Sequence, residues 1–95
     1  MLTSKQRQNL KALAHSLDPV VQIGKNGLTE QSLDTIDKAL TDHQLIKVKF
    51  LDFKDEKSSF ASLIVERTGA VLVDVIGNII VLFRENSDSE KPLIY

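Results

Sequence analysis

The run AVLVDVIGNIIVLFR, residues 70–84, constrains the fold more than any other stretch of this 95-residue chain. It is rich in valine and isoleucine, which favours strands, and it is broken once, by Gly77-Asn78. Glycine at the first of two central turn positions suits a type II′ hairpin. Two such apolar strands read as a buried sheet centre, so the remaining residues must supply further strands and the helices that cover them.

The upstream sequence does both. Thr3 followed by Gln6 reads as a capping box, which starts a first helix near Ser4. Leu10, Leu13, Ala14 and Leu17 recur with helical spacing and predict one buried stripe. Asp18-Pro19 ends that helix, because the residue before proline is pushed out of helical geometry. VVQI, Val20 to Ile23, is a short strand. A second helix follows Thr29 as N-cap, with Leu28 and Leu33 as a hydrophobic staple and Leu33, Ile36 and Leu40 as its buried face. LIKVKF, Leu45 to Phe50, alternates, so Lys47 and Lys49 share the face opposite Ile46, Val48 and Phe50. A third helix is predicted from about Asp55 to Thr68, with Phe60, Ala61, Ile64 and Thr68 on one face and Gly69 as its stop. The order α-β-α-β-α-β-β implies a single α+β domain of the two-layer α/β type, with a mixed four-stranded sheet and three helices. Residues 85–95, ENSDSEKPLIY, lack periodicity and read as an acidic, mobile tail.

Composition narrows the function classes. The chain has no cysteine, hence no disulfide and no thiolate ligand. His15 and His43 are far apart in sequence and make no metal site between them. No apolar run approaches the ~20 residues of a membrane span, and the N-terminus lacks the apolar core of a signal peptide. A soluble cytoplasmic monomer is expected. Net charge is −1, but the charges are segregated. Residues 1–27 hold Lys5, Arg7, Lys11 and Lys25 against Asp18 alone, whereas 28–45 hold Glu30, Asp34, Asp37 and Asp42 against Lys38.

Between the first strand and the second helix stands IGKNGLT, Ile23 to Thr29. Its glycines satisfy a turn if the backbone must reach positive φ. A nucleotide phosphate loop needs glycine at position 19 and Ser or Thr at 26, where this chain has Pro19 and Asn26. A glycine-flanked loop also admits a nucleic-acid backbone closely, as the G-x-x-G loop of KH domains does. At a helix start it presents unpaired N–H groups, with Lys25 as a cation and Thr29 or Asn26 as further donors. The acidic face of the second helix would point away from such a ligand.

The stretches LAHSLDPVVQIGKNGLT, HQLIKVKF and TGAVLVDVIGNIIVLFR together resemble the CRM domain, in its short stand-alone bacterial YhbY-like form. The resemblance spans about Leu2 to Arg84, so a domain over 1–84 and a tail over 85–95 are expected. It implies a fold like the C-terminal domain of translation initiation factor three. It also implies RNA binding and association with precursors of the large ribosomal subunit. Carried onto this chain, the RNA-facing residues are Gly24, Lys25, Asn26 and Gly27, with Arg7, Lys11, Lys47, Lys49 and Arg84 as weaker flanking candidates; His15, at the end of the first helix, is a further candidate RNA contact. This chain departs from the family's basic character, with a pI near 6.1.

The other polar residues carry bland readings beside that one. His15 and His43 suit helix C-termini, and Lys47 and Lys49 suit a solvated sheet face. Asp74 is expected to face solvent or a lysine. Phe50, Phe53, Phe60 and Phe83 read as core rather than as base-stacking platforms. No catalytic constellation is visible, so no enzyme, cofactor or small-molecule substrate is expected. The alternative is a protein-interaction module that docks a ribosomal protein or assembly factor through the acidic helix face or the tail.

Overall fold

The computed structural model describes residues 2–86 and 93–95. Three helices, α1 (Ser4–His15), α2 (Glu30–His43) and α3 (Lys57–Thr68), and four strands, β1 (Val21–Ile23), β2 (Leu45–Phe50), β3 (Val71–Ile76) and β4 (Ile79–Phe83), follow in the predicted order. The sheet runs β1-β2-β4-β3. β1 and β2 are parallel, while β4 is antiparallel to both β2 and β3.

The helices cover both faces of the sheet, so the two-layer expectation gives way to three layers. α2 and α3 pack on one face, against Ile46, Val48, Phe50, Ile80 and Leu82. α1 packs on the other, where Leu10 and Ala14 meet Leu45, Val73, Val81 and Phe83. β4 explains why. Ile80, Val81, Leu82 and Phe83 are buried in succession, which happens only when a strand is covered on both sides. Truncating one of these side chains to alanine would cost about 2–5 kcal/mol.

Several predicted features are present as read. Thr3 and Gln6 form both bonds of the capping box. Thr29 caps α2 by accepting the Ser32 N–H at 3.0 Å. Gly69 ends α3 at φ 74°. Gly77 turns the β3–β4 hairpin at φ 57°, while Asn78 keeps a negative φ, as a type II′ turn requires.

Others differ. α1 stops at His15 instead of reaching Asp18, and Leu13 and Leu17 are 39% and 37% exposed rather than buried. Of that stripe only Leu10 and Ala14 are buried against the sheet, where α1 packs on β2, β3 and β4. Val20 precedes the strand and is half exposed. The third helix opens with a 3₁₀ turn, Lys54–Glu56, before α3 proper, and Ser58 and Ser59, weak helix formers, follow directly. β3 is an edge strand, not part of the sheet centre, and Val75 and Ile76 are exposed. A register shift at Leu72/Asp74 blunts that edge. There the Asp74 carboxylate accepts the Val75 N–H at 2.9 Å, so its partner is backbone rather than a lysine. Of the acidic tail, residues 87–92 lie outside those described. Beyond them Leu93 packs against the α1-side cluster, and the Tyr95 ring meets Phe83 edge-on at 4.7 Å.

Candidate nucleic-acid interface

The Gly24–Gly27 loop sits at the end of the sheet where the parallel strands β1 and β2 finish. Two other connections converge there. The Leu51 N–H donates to Ile23 O at 2.8 Å, and the Asn78 side chain of the hairpin donates to Phe50 O at 2.9 Å. The loop is itself a tight turn, closed by the Gly27 N–H donating to Gly24 O at 3.0 Å, with Lys25 and Asn26 at its exposed tip.

Its two glycines are there for different reasons. Gly27 is buried at φ 69°, and a Cβ on it would meet Phe53 Cε2 at 3.4 Å. Phe53 is held by Phe60, with ring centroids 5.7 Å apart, and Phe60 stacks on Phe50 at 6.0 Å. Phe53 adopts φ 57°, a left-handed conformation that costs a non-glycine residue roughly 1 kcal/mol or more. The aromatic row therefore buttresses the loop from beneath. Gly24 has a negative φ and open space where a Cβ would stand. Nothing in the fold requires glycine at 24, so the turn explanation covers only Gly27. What Gly24 provides is a bare patch of backbone beside Lys25.

Beside the loop runs an open groove of about 800 Å³. Val20, Val21 and Gln22 form one wall, along the edge of β1 that pairs with no strand. Residues 29–32 and Thr35, from the cap and first turns of α2, form the other. Thr29 spends its hydroxyl on the cap and on Ser32 Oγ, which makes it a poor donor to a ligand. The backbone N–H groups of Glu30 and Gln31 have no partner among the described residues, as expected in a first helical turn.

Residues 2–84 match the CRS1 / YhbY (CRM) domain. The chain belongs to that family. It is 46% identical over 93 residues to an RNA-binding protein of Haemophilus influenzae, covering 97% of this chain and 94% of that one. It is 37% identical over 92 residues to the probable RNA-binding protein YqeI of Bacillus subtilis, covering 96% of each. The solution structure of the hypothetical protein SAV1595 from Staphylococcus aureus superposes with a TM-score of 0.81 at 41% identity, covering 100% of both chains.

Within this CRM domain the fold sorts the candidate residues. Lys25 and Asn26 are exposed, and neither side chain has a hydrogen-bond partner among the described residues. Lys49 stands in register with Gln22, next to the start of the loop, and is half-buried. Lys47 is partly spent, because its Nζ donates to Leu17 O at 2.9 Å and ties the end of the α1 segment to β2. Lys11 and His15 are exposed on α1.

Arg7 and Arg84 are engaged elsewhere. Arg7 Nη1 donates to the carbonyls of Leu72 and Val73 at 2.7 and 3.2 Å, which pins α1 to the β3 irregularity. Arg84 lies at the opposite end of the sheet from the loop. It donates to Asp37 Oδ1 at 2.5 Å, Asp37 O at 2.9 Å, Thr41 Oγ1 at 2.8 Å and Thr68 O at 2.8 Å. The face of α2 expected to point away is also partly committed. Glu30 lines the groove and forms a bidentate pair with Arg67 at 3.1 and 2.6 Å. That hydrogen bond, reinforced by the guanidinium charge, holds the Glu30 carboxyl below its ordinary range.

Sequence reasoning missed Gln22, Gln31 and Phe53. For Gln22 a signal existed, since VQI alternates and its middle residue faces away from the core. For Phe53 none did, because its contact with Gly27 crosses the whole of α2 and β2. Among the described residues no three of His, Asp and Glu cluster as metal ligands, and no helix is long and apolar enough to cross a membrane.

Proposed function

We propose that this chain binds RNA through the Gly24–Gly27 loop and the groove beside it, and that it does so on ribosomal RNA in precursors of the large ribosomal subunit. The observation that carries the RNA reading is the loop itself. It combines a backbone patch left bare at Gly24, an unengaged Lys25 and Asn26, and two unpartnered N–H groups at the start of α2. Those are the groups that a phosphate oxygen accepts from. Membership of the CRM family and the names of the relatives point the same way. Binding and release suffice for this role, with no cofactor and no chemical step. A monomer in the cytoplasm fits it.

The test is Lys25→Glu, with ribosomal RNA fragments as probe. The expected result is affinity lower by about tenfold, with the thermal melt unchanged. A folded variant that binds as well as the parent would remove the loop from the interface. The ribosomal part is tested separately, by sedimentation of cell extract at low and high salt. Co-migration with large-subunit precursors at low salt only is expected. Protein that stays at the top of the gradient throughout would dismiss stable ribosomal association.

A second reading, contact with another protein, is favoured by one observation. An apolar hollow of about 500 Å³ between α1 and the end of α2 is edged by the exposed Leu13, Leu17 and Val20. The acidic face of α2 serves that reading less well, because Glu30 and Asp37 already pair with Arg67 and Arg84. Association with ribosomal particles that survives ribonuclease treatment and is lost in Leu13→Glu would favour it.

A further inference from the structure

The groove beside the loop is poorly suited to a second phosphate. Lys25 is the only cation that lines it among the described residues, and it stands at the tip of the loop. The one acid, Glu30, is neutralised by Arg67 from outside the groove. A phosphate further in would meet no cationic side chain, only the first-turn N–H groups of α2.

What the groove does offer is different in kind. Gln22 on the strand wall and Gln31 on the helix wall are both exposed, and neither carboxamide has a hydrogen-bond partner among the described residues. Each presents an acceptor and two donors, the set that pairs with the edge of a nucleobase. Val20, half exposed on the same wall, supplies apolar surface for a base face. The unpaired edge of β1 leaves this wall open.

We propose that this groove reads unpaired RNA bases. The sugar-phosphate chain crosses the bare backbone at Gly24 beside Lys25, and one or more unstacked bases turn into the groove, where Gln22 and Gln31 meet their edges. The proposal rests on the RNA reading of the loop and adds a substrate class to it, single-stranded RNA with a base preference. A base inside a duplex cannot enter, because its edge is already paired and its face stacked. Base contacts of this kind also suit a chain with a net charge of −1, which cannot depend on bulk attraction to phosphate.

The experiment is fluorescence anisotropy with labelled short rA, rU and rC homopolymers and with a duplex of matched length. The proteins are the full chain, the double variant Gln22→Ala/Gln31→Ala, and Lys25→Glu. The parent should favour one homopolymer over the others, and single strands over duplex, by about tenfold each. The glutamine double variant should lose most of the homopolymer preference with an unchanged melt, since both residues are exposed. Lys25→Glu should weaken every single strand alike. A parent that binds duplex as well as single strands, or shows no homopolymer preference, overturns the proposal. A double variant that keeps the preference does so too. If the glutamine variant behaves as expected but Lys25→Glu changes nothing, the groove stands and the loop assignment falls. If no probe binds, this proposal falls, while the RNA reading is decided separately by the ribosomal RNA fragments.

Discussion

At one end of the sheet Arg84 makes four hydrogen bonds and reaches two helices. At the other end the Lys25 side chain makes none among the described residues. Both are single cations at the margins of the same sheet, and the sequence offers both as candidate RNA contacts, Lys25 in the loop and Arg84 as a flanking residue. The fold uses one to close itself and leaves the other to solvent. A guanidinium with four of its five N–H donors engaged has little to spare for a ligand, and releasing it would take a donor from the Thr68 carbonyl. An unengaged ammonium on a turn costs the fold nothing. In this domain, positive charge alone does not mark an interface; positive charge without an internal partner does.

The contrast breaks most readily at Arg84. Arg84→Ala removes charge-assisted bonds from a side chain only 24% exposed, at a cost of about 2–3 kcal/mol. The melting temperature should fall by about 10–20 °C, measured by circular dichroism. RNA affinity per folded molecule should stay as it was. A variant that melts normally but binds RNA poorly would reverse the roles assigned to the two ends.

The salt dependence of RNA binding sharpens the Lys25 side. If its ammonium displaces one counterion from a single strand, Lys25→Ala lowers the slope of log affinity against log salt by about 0.7. Arg84→Ala leaves that slope alone.

The two loop glycines repeat the comparison on a smaller scale. Gly27→Ala forces alanine into φ 69° against the Phe53 ring and should cost about 1–2 kcal/mol of stability. Gly24→Ala should change stability by less than about 0.5 kcal/mol yet weaken RNA binding several-fold, because a methyl group then stands where the backbone was bare. Equal effects of the two substitutions on urea denaturation would contradict the division of labour between them.

The smallest effect belongs to Glu30. Its pKa in the folded chain is lowered from 4.5 by the Arg67 hydrogen bond and charge. The pair's contribution is thus present above the unfolded value and lost as pH falls through the folded one. Glu30→Gln should lower the melting temperature slightly at neutral pH and not at a pH below both values. Both partners are well exposed, so the difference should be near the limit of detection.

Much of the fold was legible because local chemistry fixes it. The Thr3–Gln6 capping box, Thr29, Gly69 and the Gly77 hairpin each act within a few residues, and each stands where the sequence puts it. Strand β2 reads correctly from alternation alone. The errors lie where the outcome depends on distant residues. Leu13 and Leu17 fit the helical stripe, but they border the hollow beside the end of α2 and stay partly exposed. The valines of β3 look central, yet the sheet order puts β3 at the edge.

At the candidate site, the loop is readable from consecutive residues: its position after a strand, its glycines, its lysine and the cap that starts α2. Those are properties of consecutive residues, and the same stretches carry the resemblance to the CRM family. Which candidates remain available depends on how the chain folds. Folding engaged Arg7 with β3 and Arg84 with two helices, half-committed Lys47, and left Lys25 open. It brought Phe53 beneath Gly27 and set Gln22 across a groove from Gln31. Whether a polar group is spent or spare depends on the partner that folding brings within about 3 Å, and no spacing along the chain encodes that partner.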